Sequence, residues 1–347
     1  MDISPALKIF YAKVNINNYF CGMFSVNHEK FLEMDELSQK KVPFFFMIDF
    51  LVNQVEIFTE KELSEKGLLI DFQTFSNTKK KEALHKKPEW KTYPETLESF
   101  KKGFDKVQEN IRLGNSYLTN YTRKTKIETN LSLEEIFYHS QAKYKVLCPD
   151  FFVFFSPETF VKIIDDKIFT YPMKGTIDAS LENAAEILKN DKKEKAEHYT
   201  VVDLLRNDLS RVAQNVTVDQ FQYIELLKTY QKNLFAMSSE ISGSLKEEFK
   251  GKIGSIMQKL LPAGSILGAP KTKTLEIILE AEGFDRGFYT GVCGWFDGEN
   301  LDSCVMIRFI EKEGNSLYFK SGGGITHMSK LEDEYQEMKN KIYVPIH

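Results

Sequence analysis

The sequence of 347 residues has few cysteines, and the four that it has stand far apart, at Cys21, Cys148, Cys293 and Cys304. None of them forms a C-x-x-C pair, and four thiols give too few crosslinks to hold a chain of this length together. We therefore expect neither a structural zinc site nor a disulfide scaffold.

Long apolar runs and a strong charge imbalance are missing as well. No stretch approaches the roughly 20 apolar residues that cross a bilayer, and the first residues lack the basic flank and apolar core of a signal peptide. The net charge of -4 creates no field that attracts nucleic acid or an anionic membrane. These absences predict a cytoplasmic protein that binds a small molecule, without a nucleic-acid or membrane partner.

The patterns that are present indicate a mixed fold. Residues 1 to about 75 alternate apolar runs with polar breaks, which predicts strands and loops, and the lysine-rich segment 77–91 is expected to be a solvated linker because it lacks the periodicity of a DNA-binding helix. From Glu95 onward, helical and strand-like segments come in blocks, which favours an α+β fold with antiparallel sheets. We expect residues 1–90 to be a strand-rich part packed into the same fold as a catalytic domain over 91–347.

The periodicity after residue 90 predicts individual elements. Helices are predicted near 95–113, 133–143, 181–189, 193–206, 252–260, 271–281 and 330–342. Strands are predicted at 116–128, in FFVFFS and in the two halves of TFVKIIDDKIFTYPMKGT, and an antiparallel meander is predicted for YTGVCGWF, LDSCVMIRFI and SLYFKSGGGI.

Two glycine-rich segments suggest a nucleotide site, but neither has the required spacing. PAGSILGAPK lacks the GxxxxGK[ST] pattern, and SGGGITH opens no GxGxxG turn after its strand. The backbone N–H groups of Gly323 and Gly324, close to the start of the last helix, are able to bind a carboxylate, although a sharp turn explains these glycines equally well.

Arg308 is a charged residue in a segment that the pattern predicts to be buried. It follows Cys304 and Met306 at alternate positions of a predicted strand. A buried guanidinium needs an anion, which is either a structural salt bridge or an organic carboxylate bound through two hydrogen bonds.

Carboxylates occur in two of the predicted helices. In the last one, Glu334, Glu337 and Lys341 form a stripe beside the apolar stripe, and Glu197 precedes a helical run that carries Asp203, Arg206 and Asp208. Such carboxylates suit magnesium if the fold brings them together, because magnesium binds through one or two of them plus water and an anionic substrate. Otherwise they form solvated faces.

The motifs SPETF and YPMKGT flank a predicted hairpin. A loop of three residues, Asp165 to Lys167, would place Glu158 opposite Lys174, whereas a loop of two residues would turn the two side chains to opposite faces. A surface pair of this kind contributes little. A buried pair would place a proton donor or acceptor beside a nucleophilic amine.

Taken in order, a set of motifs over about residues 95–345 resembles the chorismate-utilising enzymes. The motifs are SPETF, PMKGT, VVDLLRNDLSRVA, LPAGSILGAPKTKTLEII, GFYTGVCGWF, DSCVMIRF, SGGGI and EDEYQEMKNK. That family includes the large components of anthranilate synthase and aminodeoxychorismate synthase, and the isochorismate and salicylate synthases. The resemblance implies two antiparallel β-sheets packed as a sandwich, with helices on the outside.

The resemblance also implies roles for individual residues. Lys174 would attack ring carbon 2 of chorismate while Glu158 protonates the leaving 4-hydroxyl, and ammonia would then add at carbon 4. Magnesium would be bound by Glu197 and Glu337, with Glu334 as a close or water-mediated third ligand, and would neutralise the ring carboxylate. The substrate-binding residues that the resemblance implies are Arg308, Tyr289, Gly323, Gly324, Lys341, Thr176 and Ser265.

Lys174 also indicates a branch of this family. The anthranilate branch typically has alanine before the Gly-Thr pair and the aminodeoxychorismate branch has lysine, so Lys174 implies a transferase of 4-aminobenzoate and folate biosynthesis. The lysine that activates water in isochorismate and salicylate synthases corresponds to Leu118, and the histidine of many members to Ala236. Because no cysteine lies in a glutaminase-type motif, ammonia is expected from a separate glutamine amidotransferase subunit. Anthranilate synthase component I and a non-catalytic chorismate-binding subunit are the alternatives.

Overall fold

The computed structural model describes residues 28–79, 86–227 and 233–344, in which helices surround two antiparallel sheets. The helices are α1 (His28–Gln39), α2 (Glu60–Lys66), α3 (Leu97–Arg112), α4 (Leu133–His139), α5 (Ala184–Asn190), α6 (Lys192–Ser210), α7 (Ile253–Leu260), α8 (Gly264–Leu267), α9 (Lys271–Glu282) and α10 (Leu331–Asn340). The strands are β1 (Phe44–Ile48), β2 (Val55–Phe58), β3 (Leu69–Phe72), β4 (Trp90–Tyr93), β5 (Leu118–Thr129), β6 (Tyr144–Cys148), β7 (Phe152–Ser156), β8 (Thr159–Ile164), β9 (Lys167–Thr170), β10 (Met173–Asp178), β11 (Ala213–Leu227), β12 (Leu234–Leu245), β13 (Gly268–Ala269), β14 (Val292–Phe296), β15 (Leu301–Val305), β16 (Phe309–Glu313) and β17 (Ser316–Ile325).

The strands divide between the sheets without regard to chain order. Over the described ranges, the first sheet is nine-stranded, with the order β10-β12-β9-β8-β15-β14-β1-β2 and β11 also paired to β12. The second is eight-stranded, with the order β13-β5-β17-β16-β7-β6-β3 and β4 also paired to β5. Since β1 pairs with β14 and β3 with β6, residues 28–79 contribute to both sheets. The domain boundary at residue 90 stays a prediction.

An aromatic core fills the space between the two sheets. Phe45 of β1 belongs to one buried cluster with Phe152 and Phe154 of β7 and with Phe309 of β16. The rings of Phe152 and Phe309 lie 4.7 Å apart, in the range where aromatic pairs add to the energy of burial. Helices α1, α6 and α7 cover the other face of the first sheet, α3 and α9 pack against β5, and α10 packs against β17 and α3. The predicted α+β sandwich with helices on the outside is confirmed.

Helix α3 shows how the local sequence sets an element. The side chain of Thr96 accepts a hydrogen bond from the backbone N–H of Ser99 and so caps the first turn. The buried apolar residues then recur at helical spacing, at Phe100, Phe104, Val107 and Ile111. The predicted helix over 95–113 is therefore confirmed. No helix in the part of the chain that the structure describes is long and apolar enough to cross a membrane.

Two segments differ from the sequence-based expectation. Helix α1 lies where strands and loops were expected, because Phe31 and Met34, three positions apart, both face the core. Residues 1–27, the rest of this expectation's N-terminal part, lie outside the described residues. Strands β11 and β12 pair along most of their length and were not predicted. Residues 80–85 of the lysine-rich segment also lie outside the described residues. Strand β4 begins near the end of this segment, at Trp90.

The predicted strand LDSCVMIRFI is two strands. β15 ends at Val305 and β16 begins at Phe309, and the two belong to different sheets. Arg308 lies between them with a φ of 55°, a left-handed conformation that interrupts extended backbone. The single strand predicted through Arg308 is therefore wrong, because this residue lies where the chain crosses from one sheet to the other.

Candidate active site

A cavity of about 920 Å³ lies between the two sheets and is lined by residues of both. Its walls come from the β7–β8 connection, β10, α6, α8, β17 and α10. It is lined by these residues proposed from the sequence: Lys174, Glu158, Arg308, Tyr289, Gly323, Gly324, Lys341, Thr176, Ser265, Glu197 and Glu337. Glu334 is not in the lining and is buried behind it. The fold thus collects positions that are up to 183 residues apart, from Glu158 to Lys341.

The hairpin between β8 and β9 has the shorter of the two loops considered. Asp165 and Asp166 have φ values of 49° and 60°, as in the tight two-residue turns that suit the twist of a hairpin. Lys174 follows in β10, which pairs with β12. Glu158 and Lys174 are therefore not cross-strand neighbours, although both reach the same cavity.

Glu158 is in the environment of a proton donor. The hydroxyl of Ser265, on α8, donates a hydrogen bond of 2.8 Å to its Oε1. Burial raises the pKa of the Glu158 carboxyl, and the Ser265 hydrogen bond and the charges of Lys174 and Lys341 offset this only in part. Glu158 consequently keeps its proton to a higher pH than an exposed glutamate does, which a general acid requires.

The amine of Lys174 lies close to two other elements, α6 and β17. Its Nζ lies 4.0 Å from Oε2 of Glu197 on α6. A Cβ atom at Gly324 of β17 would come within 3.5 Å of the same Nζ and within 2.9 Å of Leu118. The glycine therefore leaves open the space through which a substrate can approach the amine.

Three carboxylates were proposed to bind magnesium, and two of them meet beside Gly323. A Cβ atom at Gly323 would lie 3.2 Å from Glu337 Oε1 and 3.5 Å from Glu334 Oε2, while Glu197 approaches from α6. Within 28–79, 86–227 and 233–344, no three His, Cys, Asp or Glu side chains form a ready-made metal cluster. Magnesium needs only one or two carboxylates plus water and an anionic substrate, so the donor set fits.

Asp203 and Asp208, the two aspartates of the helix that carries Glu197, do not line the cavity, whereas Glu194 of the same helix does. Asp203 is exposed and lies 3.4 Å from Arg206 on the same helix. Asp208 is buried, and its Oδ1 lies 2.8 Å from Nζ of Lys271. The suggestion that these aspartates join a metal site is wrong, because one faces solvent and the other faces α9.

Arg308 and Tyr289 present donors to the cavity. Nη1 of Arg308 donates to the carbonyl of Lys341 at 3.2 Å, and the guanidinium lies 4.5 Å from the ring centre of Tyr343. Neither contact supplies a full negative charge, which suits recognition of a substrate carboxylate. Burial raises the pKa of the Tyr289 hydroxyl, so that it remains a hydrogen-bond donor.

Lys341 and Thr176 lie at the edges of this site. Nζ of Lys341 lies 2.7 Å from Glu337 Oε1 and donates to the carbonyl of Gly322 at 2.8 Å. Thr176 is exposed and pairs with Ala236, which is fully buried in β12. Ala236, the position that the resemblance matches to a histidine, thus lies next to the cavity wall.

Asn120 also lines the cavity and was not predicted. The sequence contains a signal for this, because Asn120 follows Leu118 by two positions in one strand, and side chains two positions apart lie on the same face.

The comparisons with known proteins agree with this fold. A family model described as chorismate binding enzyme matches residues 13–347, and the chain belongs to this family. It is similar to an uncharacterized PabA-like protein of Pasteurella multocida, with 47% identity over 92% of this chain and 99% of the relative. It is also similar to aminodeoxychorismate synthase component 1 of Bacillus subtilis, with 32% identity over 72% of this chain and 55% of that protein.

A solved structure supports the same fold. Anthranilate synthase component I of Streptococcus pneumoniae matches with a TM-score of 0.63 and 26% identity, covering 74% of this chain and 58% of that one. The expected chorismate-utilising fold is therefore confirmed.

Proposed function

We propose that this protein aminates chorismate with ammonia to 4-amino-4-deoxychorismate, as a transferase of 4-aminobenzoate and folate synthesis in the cytoplasm. The observation that carries the proposal is the amine of Lys174 in one cavity with the proton-holding carboxyl of Glu158. The similarity to the aminodeoxychorismate synthase component of Bacillus subtilis supports it.

In the proposed reaction, the amine of Lys174 loses its proton and attacks ring carbon 2, both ring double bonds shift, and the 4-hydroxyl leaves. Glu158 donates the proton with which this hydroxyl departs as water. Arg308, Tyr289, Lys341 and the N–H groups of Gly323 and Gly324 would bind the substrate carboxylates, with Thr176 and Ser265 beside them. The ammonia would come from a separate glutamine amidotransferase subunit.

Magnesium completes the proposal as a bound cofactor, held by Glu197 and Glu337 with Glu334 close by. When bound, it would supply positive charge that neutralises and orients the ring carboxylate of chorismate. The position of Glu334 and Glu337 on the side of Gly323 where a Cβ atom would lie supports this, because a substrate carboxylate beside this glycine would also lie close to the cation.

Glu197→Ala and Glu337→Ala are each expected to abolish the magnesium dependence of chorismate binding, because loss of a ligand leaves a hard cation under-coordinated. Calorimetric titration of chorismate with and without magnesium measures this. Glu332→Ala, at an exposed position of the helix that carries Glu337, is the matched control and should bind chorismate as the wild type does. Wild-type magnesium dependence in either cavity variant would show that the metal assignment is wrong.

The proposed function is tested by product analysis. Incubation with chorismate, magnesium and ammonium should yield aminodeoxychorismate, and 4-aminobenzoate should appear only after addition of the lyase that removes pyruvate. Return of unchanged chorismate under all conditions would favour a non-catalytic chorismate-binding subunit.

Anthranilate synthase component I is the second candidate, and the similarity to the Streptococcus pneumoniae enzyme favours it. The two reactions differ in product, since anthranilate formation releases pyruvate without a second enzyme. Detection of anthranilate and pyruvate in the same incubation would replace the first proposal by the second.

A further inference from the structure

Asn120 lines the cavity but has no role in the mechanism above. Its side-chain Oδ1 is buried and, among the residues that the structure describes, has no hydrogen-bond partner. Buried polar atoms in folded proteins nearly always have a partner, and an exception inside a cavity points to a molecule that binds there. We therefore considered what Asn120 can recognise.

The strand pairing places Asn120 on the same side as the amine of Lys174. Asn120 of β5 lies opposite Gly324 of β17, and residues directly opposite each other project from the same face of a sheet. On that face, a Cβ atom at Gly324 would lie 3.5 Å from Lys174 Nζ. The carboxamide of Asn120 is therefore directed toward the part of the cavity where the amine lies.

Asn120 has one apolar neighbour and one neighbour without a side chain on this face, while the hydroxyl of Thr122, two positions further along, donates to Glu282. Leu118 shares the face because it is two positions away, and its Cδ1 would lie 2.9 Å from a Cβ at Gly324. The backbone carbonyl of Asn120 accepts a hydrogen bond of 2.6 Å from the buried Arg286, which fixes this point of the strand. A fixed backbone thus presents the side chain of Asn120, whose Oδ1 has no hydrogen-bond partner among the described residues, to the cavity.

We propose that Asn120 binds the ammonia that aminates chorismate, with Oδ1 accepting one N–H of the incoming molecule. The inference rests on the proposed function. A hydrogen bond to one N–H leaves the lone pair of ammonia free to face the ring. The carboxamide cannot remove a proton from water, and neither can Leu118, whereas ammonia attacks without prior deprotonation. This wall therefore selects ammonia over water.

The step is balanced in atoms and electrons. The lone pair of ammonia forms the bond to ring carbon 4, and the two ring double bonds shift back. The bond between ring carbon 2 and the nitrogen of Lys174 breaks, and its electron pair returns to that nitrogen. One proton passes from the new ammonium group to the released amine or to solvent. Nothing is oxidised or reduced.

Asn120→Leu removes the acceptor and keeps the number and branching of the side-chain heavy atoms, although the two methyl groups take up more space. We expect the Michaelis constant for ammonia to rise by about tenfold, the loss typical of one buried hydrogen bond, while the dissociation constant of chorismate stays within about twofold. Initial rates over an ammonium series at fixed pH and calorimetric titration of chorismate give the two numbers. Circular dichroism checks folding, and Asn120→Ala repeats the test if the leucine variant is misfolded.

Asn130→Leu makes the same exchange at an exposed site just beyond the same strand and should leave both constants unchanged. A wild-type ammonia dependence in the Asn120 variants, or an equal loss of chorismate affinity, overturns the assignment of Asn120 and leaves the proposed function intact. If the wild-type protein transfers no nitrogen from ammonia to chorismate, the proposed function fails, and the role of Asn120 fails with it.

Discussion

Lys174→Ala is expected to lower the rate of chorismate amination by about 10² to 10⁴-fold, the range for loss of a well-placed catalytic group. The reason is that the amine forms the covalent intermediate that divides one difficult displacement into two easier ones. Chorismate binding should largely survive, because the proposed carboxylate contacts lie at other residues. Initial rates and calorimetric titration separate the two effects.

The intermediate gives this prediction a direct readout. Wild-type protein incubated with chorismate and magnesium but without ammonia should accumulate an adduct on Lys174, visible by intact mass and peptide mapping. Lys167→Ala, at an exposed position of β9, is the control and should form the adduct. Absence of any adduct, together with wild-type rates for Lys174→Ala, would remove lysine catalysis from the mechanism. Product analysis of the variant should include anthranilate, since alanine is typical of the sister branch.

Glu158→Gln is expected to have an effect of similar size, about 10² to 10⁴-fold, because the amide cannot donate the proton that the leaving hydroxyl needs. The wild-type rate should be highest where Glu158 is protonated and should fall as the pH rises through its pKa. Since burial raises that pKa, the fall should come at a higher pH than for an exposed glutamate. In Glu158→Gln, a profile of rate against pH should no longer show this fall, which we call the falling limb.

Ser265→Ala tests the same carboxyl without removing it. The hydroxyl of Ser265 donates to the Glu158 carboxylate and stabilises its charged form, so the hydrogen bond lowers the pKa. Its removal should raise the pKa of Glu158 and move the falling limb to higher pH. A limb that stays in place, or moves to lower pH, would contradict the role of Glu158 as the acid.

Periodicity and capping were enough to predict the secondary-structure elements that are determined by residues close together in the sequence. Thr96 and the apolar stripe that begins at Phe100 define α3 without help from the rest of the chain. The break at Arg308 could not be predicted in this way, because nothing in LDSCVMIRFI marks a left-handed residue, and the crossing between two sheets is a property of the whole fold. The pairing of β11 with β12 similarly depends on residues that are not neighbours in the sequence.

The candidate site was accessible from the sequence only through motif order. Spacing alone could not decide whether the side chains of Glu158 and Lys174 lie on the same face or on opposite faces of the hairpin. The answer depends on the length of the loop at Asp165 and Asp166, and the sequence allows a loop of either two or three residues. No periodicity relates Glu197 to Glu337, because they come from helices on different walls of the cavity. Asn120 stayed unnoticed since an unsatisfied oxygen can be recognised only once its surroundings are known.

The buried ion pair between Asp208 and Lys271 joins two parts of the site that would otherwise be independent. Asp208 lies on the helix that carries Glu197, and Lys271 begins the helix that follows the Ser265 turn; Nζ of Lys271 also donates to the carbonyl of Leu260. Breaking a buried pair by removing one partner typically costs about 3–5 kcal/mol. Substitutions at Glu197 and at Ser265 are therefore expected to show epistasis when combined with a change at Asp208. A change in the position of α6 is therefore expected to be transmitted through this pair to α9, the helix that follows the Ser265 turn.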